Sequence, residues 1–291
     1  ELVRANDIRS LHRVLSQAGI SALLMKGAAL AYSHYPAPHM RSRVDTDIFI
    51  APKDIRSIRE VFSAAGYRLE GWTYKSHQFK ALRDGFGGQT IKYDVHWRSS
   101  NRSLYARILS HDAAESESNP VAGLGDFRAL SAKHALIQAC LHRAASAYHD
   151  PDRLIWLYDI YLLVSGMSED EFRGFADTAE RFGIQDICLE AIGKTYRRFG
   201  GEVPNEVATF LNKPVSRDTS RSRFHDSQLA LIIDDMRVLP DTRGRFALVK
   251  EYLFPPGDYL LQRYGKTGAY WVPILYTRYF FSGLFERMTL R

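Results

Sequence analysis

In the N-terminal third of the chain, the spacing of apolar side chains alternates between two periods. Ile8, Leu11, Val14 and Leu15 recur at the spacing of one helix face, with Asn6 or Asp7 placed to cap it and Gly19 to end it. Residues 21–25 form a short apolar run suited to a buried strand, and the small residues Gly27, Ala28 and Ala29 then open a second helix. Over 44–50 the period is two: Val44, Thr46, Ile48 and Ile50 share one face, and Asp45, Asp47 and Phe49 share the other. Pro52 suits a first helical turn and predicts a helix running to Gly66. Residues 78–82 and 90–97 read as strands flanking the Gly-rich turn 84–88, a hairpin signal.

From about residue 130 the spacing is helical almost throughout, with segments 129–148, 153–164, 170–181 and 184–199. The Ser-, Asn-, Pro- and Gly-rich stretch 115–125 reads as a linker, and the basic stretch 213–225 as an exposed connection. The pattern therefore predicts an α/β or α+β unit over 1–125 and an all-helical unit over 126–291.

Composition narrows the class further. With 45% apolar and 25% charged residues, the 291-residue chain can fill a sizeable core, and neither disorder nor a coiled-coil rod fits. A net charge of +6 suits a phosphate-bearing partner but is too dispersed to mark a nucleic-acid binder. Cys140 and Cys188 each fall in a helical pattern, which argues against a disulfide framework or a Cys-based zinc site and predicts a cytoplasmic chain. Residues 1–7 are polar with no apolar stretch behind them, so no secretory signal is expected. The most apolar tract, 269–285, is broken by Pro273, Thr277 and Arg278, which predicts a buried or surface-lying helix and no integral membrane association.

The candidate chemistry centres on Asp45-Thr46-Asp47. Strand geometry places two carboxylates spaced i, i+2 on one face about 7 Å apart, close enough to converge on one hard cation. Asp94 lies in the second alternating strand, where Lys92, Asp94 and His96 share a face. Three carboxylates on neighbouring strands are the ligand set of a two-magnesium phosphoryl-transfer site. Upstream, Lys26-Gly27 closes a strand and opens a helix, a turn whose backbone N–H groups can cradle phosphates. Arg41 and Arg43 offer fork-shaped donors for the same phosphates, and His96 either orients a phosphate or an acceptor or packs within its strand with a satisfied imidazole. His134, His142, Trp72 and Trp97 read as core or packing residues, Asp159 as the partner of Arg153 or Arg143, and Arg217 to Arg223 as a solvated loop.

These residues resemble a known family. Met25-Lys26-Gly27-Ala28-Ala29-Leu30, Tyr35-Pro36, Arg41, Asp45-Thr46-Asp47-Ile48 and Tyr93-Asp94-Val95-His96-Trp97 are similar, in order, to motifs of the uncharacterised nucleotidyltransferase family of the DNA polymerase β superfamily. The resemblance continues through His134, His142, Arg153, Trp156 and Asp159 to Leu253-Phe254-Pro255 and Arg263-Tyr264. It implies an α+β fold, with a polymerase-β-type core of short mixed sheet and helices, followed by a helical acceptor-binding domain. It implies NTP, ATP above all, as co-substrate, and two Mg²⁺ ions for which Mn²⁺ substitutes. Asp45 and Asp47 would hold the metals, Asp94 would be ligand and base, and Gly27 and Ala28 the phosphate loop. Ala28 departs from the superfamily's Gly-Ser turn and removes a hydroxyl from the phosphate grip. The implied reaction is nucleotidyl or phosphoryl transfer to a hydroxyl, on a ribosomally made peptide (lasso-type tailoring) or a small molecule rather than nucleic acid. A non-catalytic nucleotide- or partner-binding protein and an RNA-modifying enzyme are the alternatives. Asp45→Asn or Asp47→Asn is expected to abolish turnover with little change in Tm.

Overall fold

The structure is a computed structural model, and it describes residues 1–70, 77–146, 150–213, 228–239, 241–255 and 257–288. Its elements run α1 (Leu2–Gln17), β1 (Ala22–Met25), α2 (Lys26–Ser33), β2 (Thr46–Ile50), α3 (Ile55–Ala64), β3 (Arg68–Glu70), β4 (Gln78–Asp84), β5 (Thr90–His96), α4 (His111–Ser116), β6 (Asn119–Pro120) and β7 (Arg128–Ala129). Helices follow: α5 (Ala132–Ala145), α6 (Leu154–Gly166), α7 (Glu169–Arg181), α8 (Gln185–Phe199), α9 (Asn205–Asn212), α10 (Gln228–Val238), α11 (Thr242–Leu253), α12 (Gly257–Arg263) and α13 (Val272–Met288). The fold is mixed α+β, as the alternation of periods predicts.

The strands form one mixed sheet in the order β3-β4-β5-β2-β1-β7-β6, with β2 parallel to β5 and antiparallel to β1. Each face has its own core, and period two decides which side chain enters which. Leu24, Ile48, Ile50, Tyr93 and Val95 pack with Ile8, Leu11 and Leu15 of α1 and Ile58 and Phe62 of α3. Leu23, Met25 and Phe49 face the other way, into the core built by α5 to α9. α7 opens with a capping box, Ser168 with Glu171, which fixes its start sharply.

Three expectations change. Asp7 caps nothing: α1 begins at Leu2 and Asp7 is buried within it. The stretch 115–125 is no linker, because β6 pairs with β7 and β7 with β1, while Val121 and Leu124 are buried in the sheet's core. The sheet thus extends to Ala129, past the expected boundary at 125. Sequence patterning missed β6 and β7 because two-residue strands show no period. Residues 214–225 of the basic stretch, with Arg217 to Arg223, lie outside the described residues, as does Trp72. Among the described residues no helix is long and apolar enough to cross a membrane.

Candidate active site

The register of the central strands gathers the site. Asp47 of β2 lies opposite Asp94 of β5, and Phe49 opposite His96. Since Ile48, Tyr93 and Val95 turn to the α1 side, alternation sends Asp47, Asp94 and His96 to the face covered by the helices. Donor atoms of Asp47, Asp94 and His96 all lie within 4.8 Å of one another. On the other flank Met25 pairs with Asp47, so the chain leaves β1 and enters α2 at Lys26, directly beside that carboxylate. Lys26 turns this corner at φ 53, a left-handed conformation unusual for a side-chain-bearing residue. Its ammonium lies 2.7 Å from Asp47 Oδ1 and 3.2 Å from His96 Nε2.

The two paired carboxylates sit in opposite electrostatic conditions. Burial pushes the Asp47 carboxyl up, but the Lys26 charge and the His96 hydrogen bond outweigh it and hold the group well below the usual carboxylate range. Burial and then the Asp47 charge push the Asp94 carboxyl up, against the pull of Lys92. Asp94 Oδ1 is buried without a hydrogen-bond partner among the described residues, with Lys92 Nζ 3.6 Å away. Burial and Lys26 lower the His96 pKa, so the imidazole is neutral at neutral pH. Its Nε2 faces both the Lys26 donor and Asp47 Oδ1, 2.9 Å away, so the tautomer decides which contact is a hydrogen bond.

Asp45 lies in the bend just before β2, outside the strand expected to carry it. It still joins the group: Lys92 Nζ is 3.2 Å from Asp45 Oδ2, so one ammonium links Asp45 to Asp94. Period two places Lys92 on the face of Asp94 and His96, but its link to Asp45 emerges only from the fold. His142 of α5 also borders the site. Burial, the Lys26 charge and His96 push its imidazole down to about 3, and its ring packs 4.5 Å from that of Trp156. His134, on the same helix, feels Glu117 and Lys133 instead. Trp97 is buried in the sheet's core, as packing predicts.

The two arginines are placed differently. The Arg41 guanidinium donates to both oxygens of Asp159, 2.8 and 2.7 Å away, and to the Ser42 carbonyl. Tyr35 Oη donates to the same carboxylate at 2.8 Å. Asp159 therefore pairs with neither Arg153, which stacks on Trp156, nor Arg143, which binds Asp152 and Glu190. Arg41 also lies across Gly27: a Cβ there would come within 2.9 Å of its Cζ, so the glycine admits the guanidinium. Gly27 and Ala28 are buried at the start of α2. Arg43 pairs instead with the Glu1 carboxylate and lies over the Tyr32 ring.

The donor set fits a hard divalent cation. Two strand-paired carboxylates present oxygens, and the orphaned Asp94 Oδ1 lacks the partner such an ion would supply.

Among solved structures, the antibiotic-resistance factor ANT(2'')-Ia is similar at 11% identity and a TM-score of 0.44, over 68% of this chain and 99% of that one. That likeness is too distant to carry chemistry across. No curated relative matches the sequence. Residues 2–200, spanning the whole sheet and the helices through α8, match the family described as uncharacterised nucleotidyltransferase, and the chain belongs to that family.

Proposed function

We propose that the protein transfers a nucleotidyl group from an NTP, ATP above all, to a hydroxyl on a peptide or small molecule. The observation that carries this reading is the side-by-side placement of Asp47 and Asp94, the second with a raised carboxyl and an orphaned oxygen. Asp45, Asp47 and Asp94 would hold Mg²⁺, which supplies charge neutralisation for the phosphate oxygens. Lys26, at the N-terminus of α2, is the cation best placed for the donor's phosphates. Its ammonium then exchanges Asp47 for phosphate oxygen. A carboxylate with a raised pKa is a better base, so Asp94 accepts the proton of the acceptor hydroxyl. The acceptor oxygen forms a bond to the α-phosphorus, the bond to the pyrophosphate oxygen breaks, and pyrophosphate leaves. His96, neutral and beside both acids, orients phosphate or acceptor. Arg41 serves by bracing the Lys26-Gly27 turn, with its donors already engaged by Asp159 and Ser42. The helices from α5 onward form the acceptor's side of the site.

One observation favours a second reading. Lys26 already balances the Asp47 charge, so a nucleotide- or partner-binding protein that never loads metal would keep this geometry. ATP labelled separately at the α- and γ-phosphates, incubated with Mg²⁺ and panels of peptide, small-molecule and tRNA acceptors, separates the readings. Label moving from the α position to an acceptor is the expected result. Label moving only from the γ position makes the protein a phosphotransferase. Mg²⁺-independent ATP binding that Asp47→Asn leaves intact, with no label moved, supports the non-catalytic reading.

A further inference from the structure

α12 and α13 pack on each other, with Leu260 and Leu275 buried, and Tyr276 Oη donates to the Pro255 carbonyl at 2.5 Å. This packing uses one face of α13 and leaves another to solvent. The exposed residues of α7 show what a solvent face ordinarily carries: every one is charged, from Glu169 and Asp170 to Glu180 and Arg181. On α13 the exposed positions up to Phe281 hold a single charge, Arg278. Ile274 is 58% and Phe281 62% exposed, and helical spacing lines 274, 278 and 281 along one stripe. Tyr270, 73% exposed in the turn Ala269–Trp271, stands one helical turn before that stripe.

The cations of this region stand on aromatic rings instead of beside acids. Arg278 lies 4.9 Å and Arg263 5.9 Å from the centre of the Tyr264 ring. Arg263 is also 5.6 Å from the Tyr279 ring, and the Lys266 ammonium is 4.7 Å from that of Trp271. All three cations are exposed. Among the described residues none of them pairs with a carboxylate, and the sequence from Tyr259 to Phe285 contains no Asp or Glu.

Exposed apolar side chains interspersed with cations mark a surface that a partner covers. Charge indicates the partner. A second copy of this chain, related by a two-fold axis, would press one cationic face on another with no acid to answer it. A bilayer carrying anionic headgroups supplies both things the face lacks. It offers counter-charge to Arg263, Lys266 and Arg278, and an apolar layer just beneath for Ile274 and Phe281. Tyr and Trp rings that carry cations fit the boundary between those layers. Among the described residues no helix is long and apolar enough to cross, so α13 would lie along the surface.

We propose that α13, with Arg263, Lys266 and the Ala269–Trp271 turn, seats the protein on an anionic membrane surface. None of these residues belongs to the transfer site, so the contact stands or falls independently of the reading given to that site.

The test is flotation of the full chain with phosphatidylcholine vesicles and with vesicles that also contain phosphatidylglycerol, beside sedimentation velocity without lipid. The parent is expected to float with the anionic vesicles and not with the neutral ones, and added salt should weaken the association. Lys266→Gln and Arg278→Gln should each weaken it about fivefold, the worth of one cation at such a surface. Ile274→Ser combined with Phe281→Ser should weaken it at least about tenfold. Arg173→Gln, on the charged face of α7, should bind as the parent does. The substituted side chains are exposed, so every variant should keep the parent Tm. The proposal is overturned if the parent ignores anionic vesicles, if it binds neutral and anionic vesicles equally, or if the α13 variants float as the parent does. Self-association that Phe281→Ser removes, without flotation, gives the face to a second copy instead. Binding of polyglutamate without flotation gives it to an acidic polypeptide.

Discussion

Tyr93 and Asp94 are neighbours on β5 whose side chains leave opposite faces of the sheet, and each ends at a buried carboxylate. On the α1 face, Asp7 accepts hydrogen bonds from Tyr67 and Tyr93, both at 2.7 Å, and pairs with Arg83. On the other face Asp94 meets Asp47, a second acid, and among the described residues one of its oxygens has no hydrogen bond. Burial is nearly equal, with Asp7 4% and Asp94 9% exposed, so burial does not distinguish them. The balance of donors does. A carboxylate saturated by its own fold holds the fold together, whereas one left short is available to a ligand.

The largest effect expected from this contrast is on turnover. Asp94→Asn should lower the rate of label transfer about a thousandfold or more, since ligand and base are lost together. Asp7→Asn should leave that rate within a few-fold of the parent. The same pair should reverse in denaturant titrations. Asp7→Asn is expected to cost about 3 kcal/mol, because Arg83 and two hydroxyls lose their common acceptor. Asp94→Asn should cost nothing or stabilise, since it removes a like-charge contact.

Acid–base behaviour sharpens the comparison within the site. The raised Asp94 carboxyl binds its proton more tightly in the folded chain, so its ionisation costs stability. That cost is absent below the usual carboxylate range and develops as pH rises through the raised value. Asp47, held low, adds stability above the usual range and loses it as pH falls through its depressed value. Asp47→Asn should therefore lower Tm at neutral pH, by an amount equivalent to about 2 kcal/mol, and less in acid. The expectation of a nearly unchanged Tm is kept only for Asp45→Asn, whose side chain is 25% exposed against 10% for Asp47. Gly27→Ala should cost about 1–3 kcal/mol by driving Cβ into the Arg41 guanidinium, with the loss reduced in an Arg41→Ala background. The smallest effect is expected for Tyr93→Phe, about 1 kcal/mol, because Asp7 retains two partners. An equal loss in Tyr93→Phe and Asp7→Asn would break the idea that donors share the load.

Much of the sheet was legible in the sequence because β1, β2, β4 and β5 each carry an apolar run or an alternating period. The same alternation put Lys92, Asp94 and His96 on one face. What escaped was long-range pairing. Asp159 and Arg41 lie 118 positions apart, and nothing local in either segment marks the other as its partner. An Arg shortly before an Asp-x-Asp strand reads as a phosphate ligand, whereas the fold uses this one to brace a glycine turn. Asp7 falls at a position suited to a helix cap, and only the packing of Tyr67 and Tyr93 shows that it is a core acceptor. His142 reads as a core residue on its helix, and it reaches the edge of the site only because α5 packs on the sheet face that carries Asp47 and Asp94.

The pairing of β7 with β1 has a practical consequence for anyone cutting the chain. A fragment stopped at residue 125 would end before Phe127, Arg128 and Ala129, and Leu23 and Leu24 would lose the strand that covers their backbone. It would also strand Arg41 without Asp159, a buried cation with its acid left on the discarded piece. Such a fragment would carry an unprotected apolar edge and self-associate through it. The smallest piece worth purifying keeps the sheet together with α5 to α9, which share one core, so truncation and complementation by two fragments should start beyond Asn212.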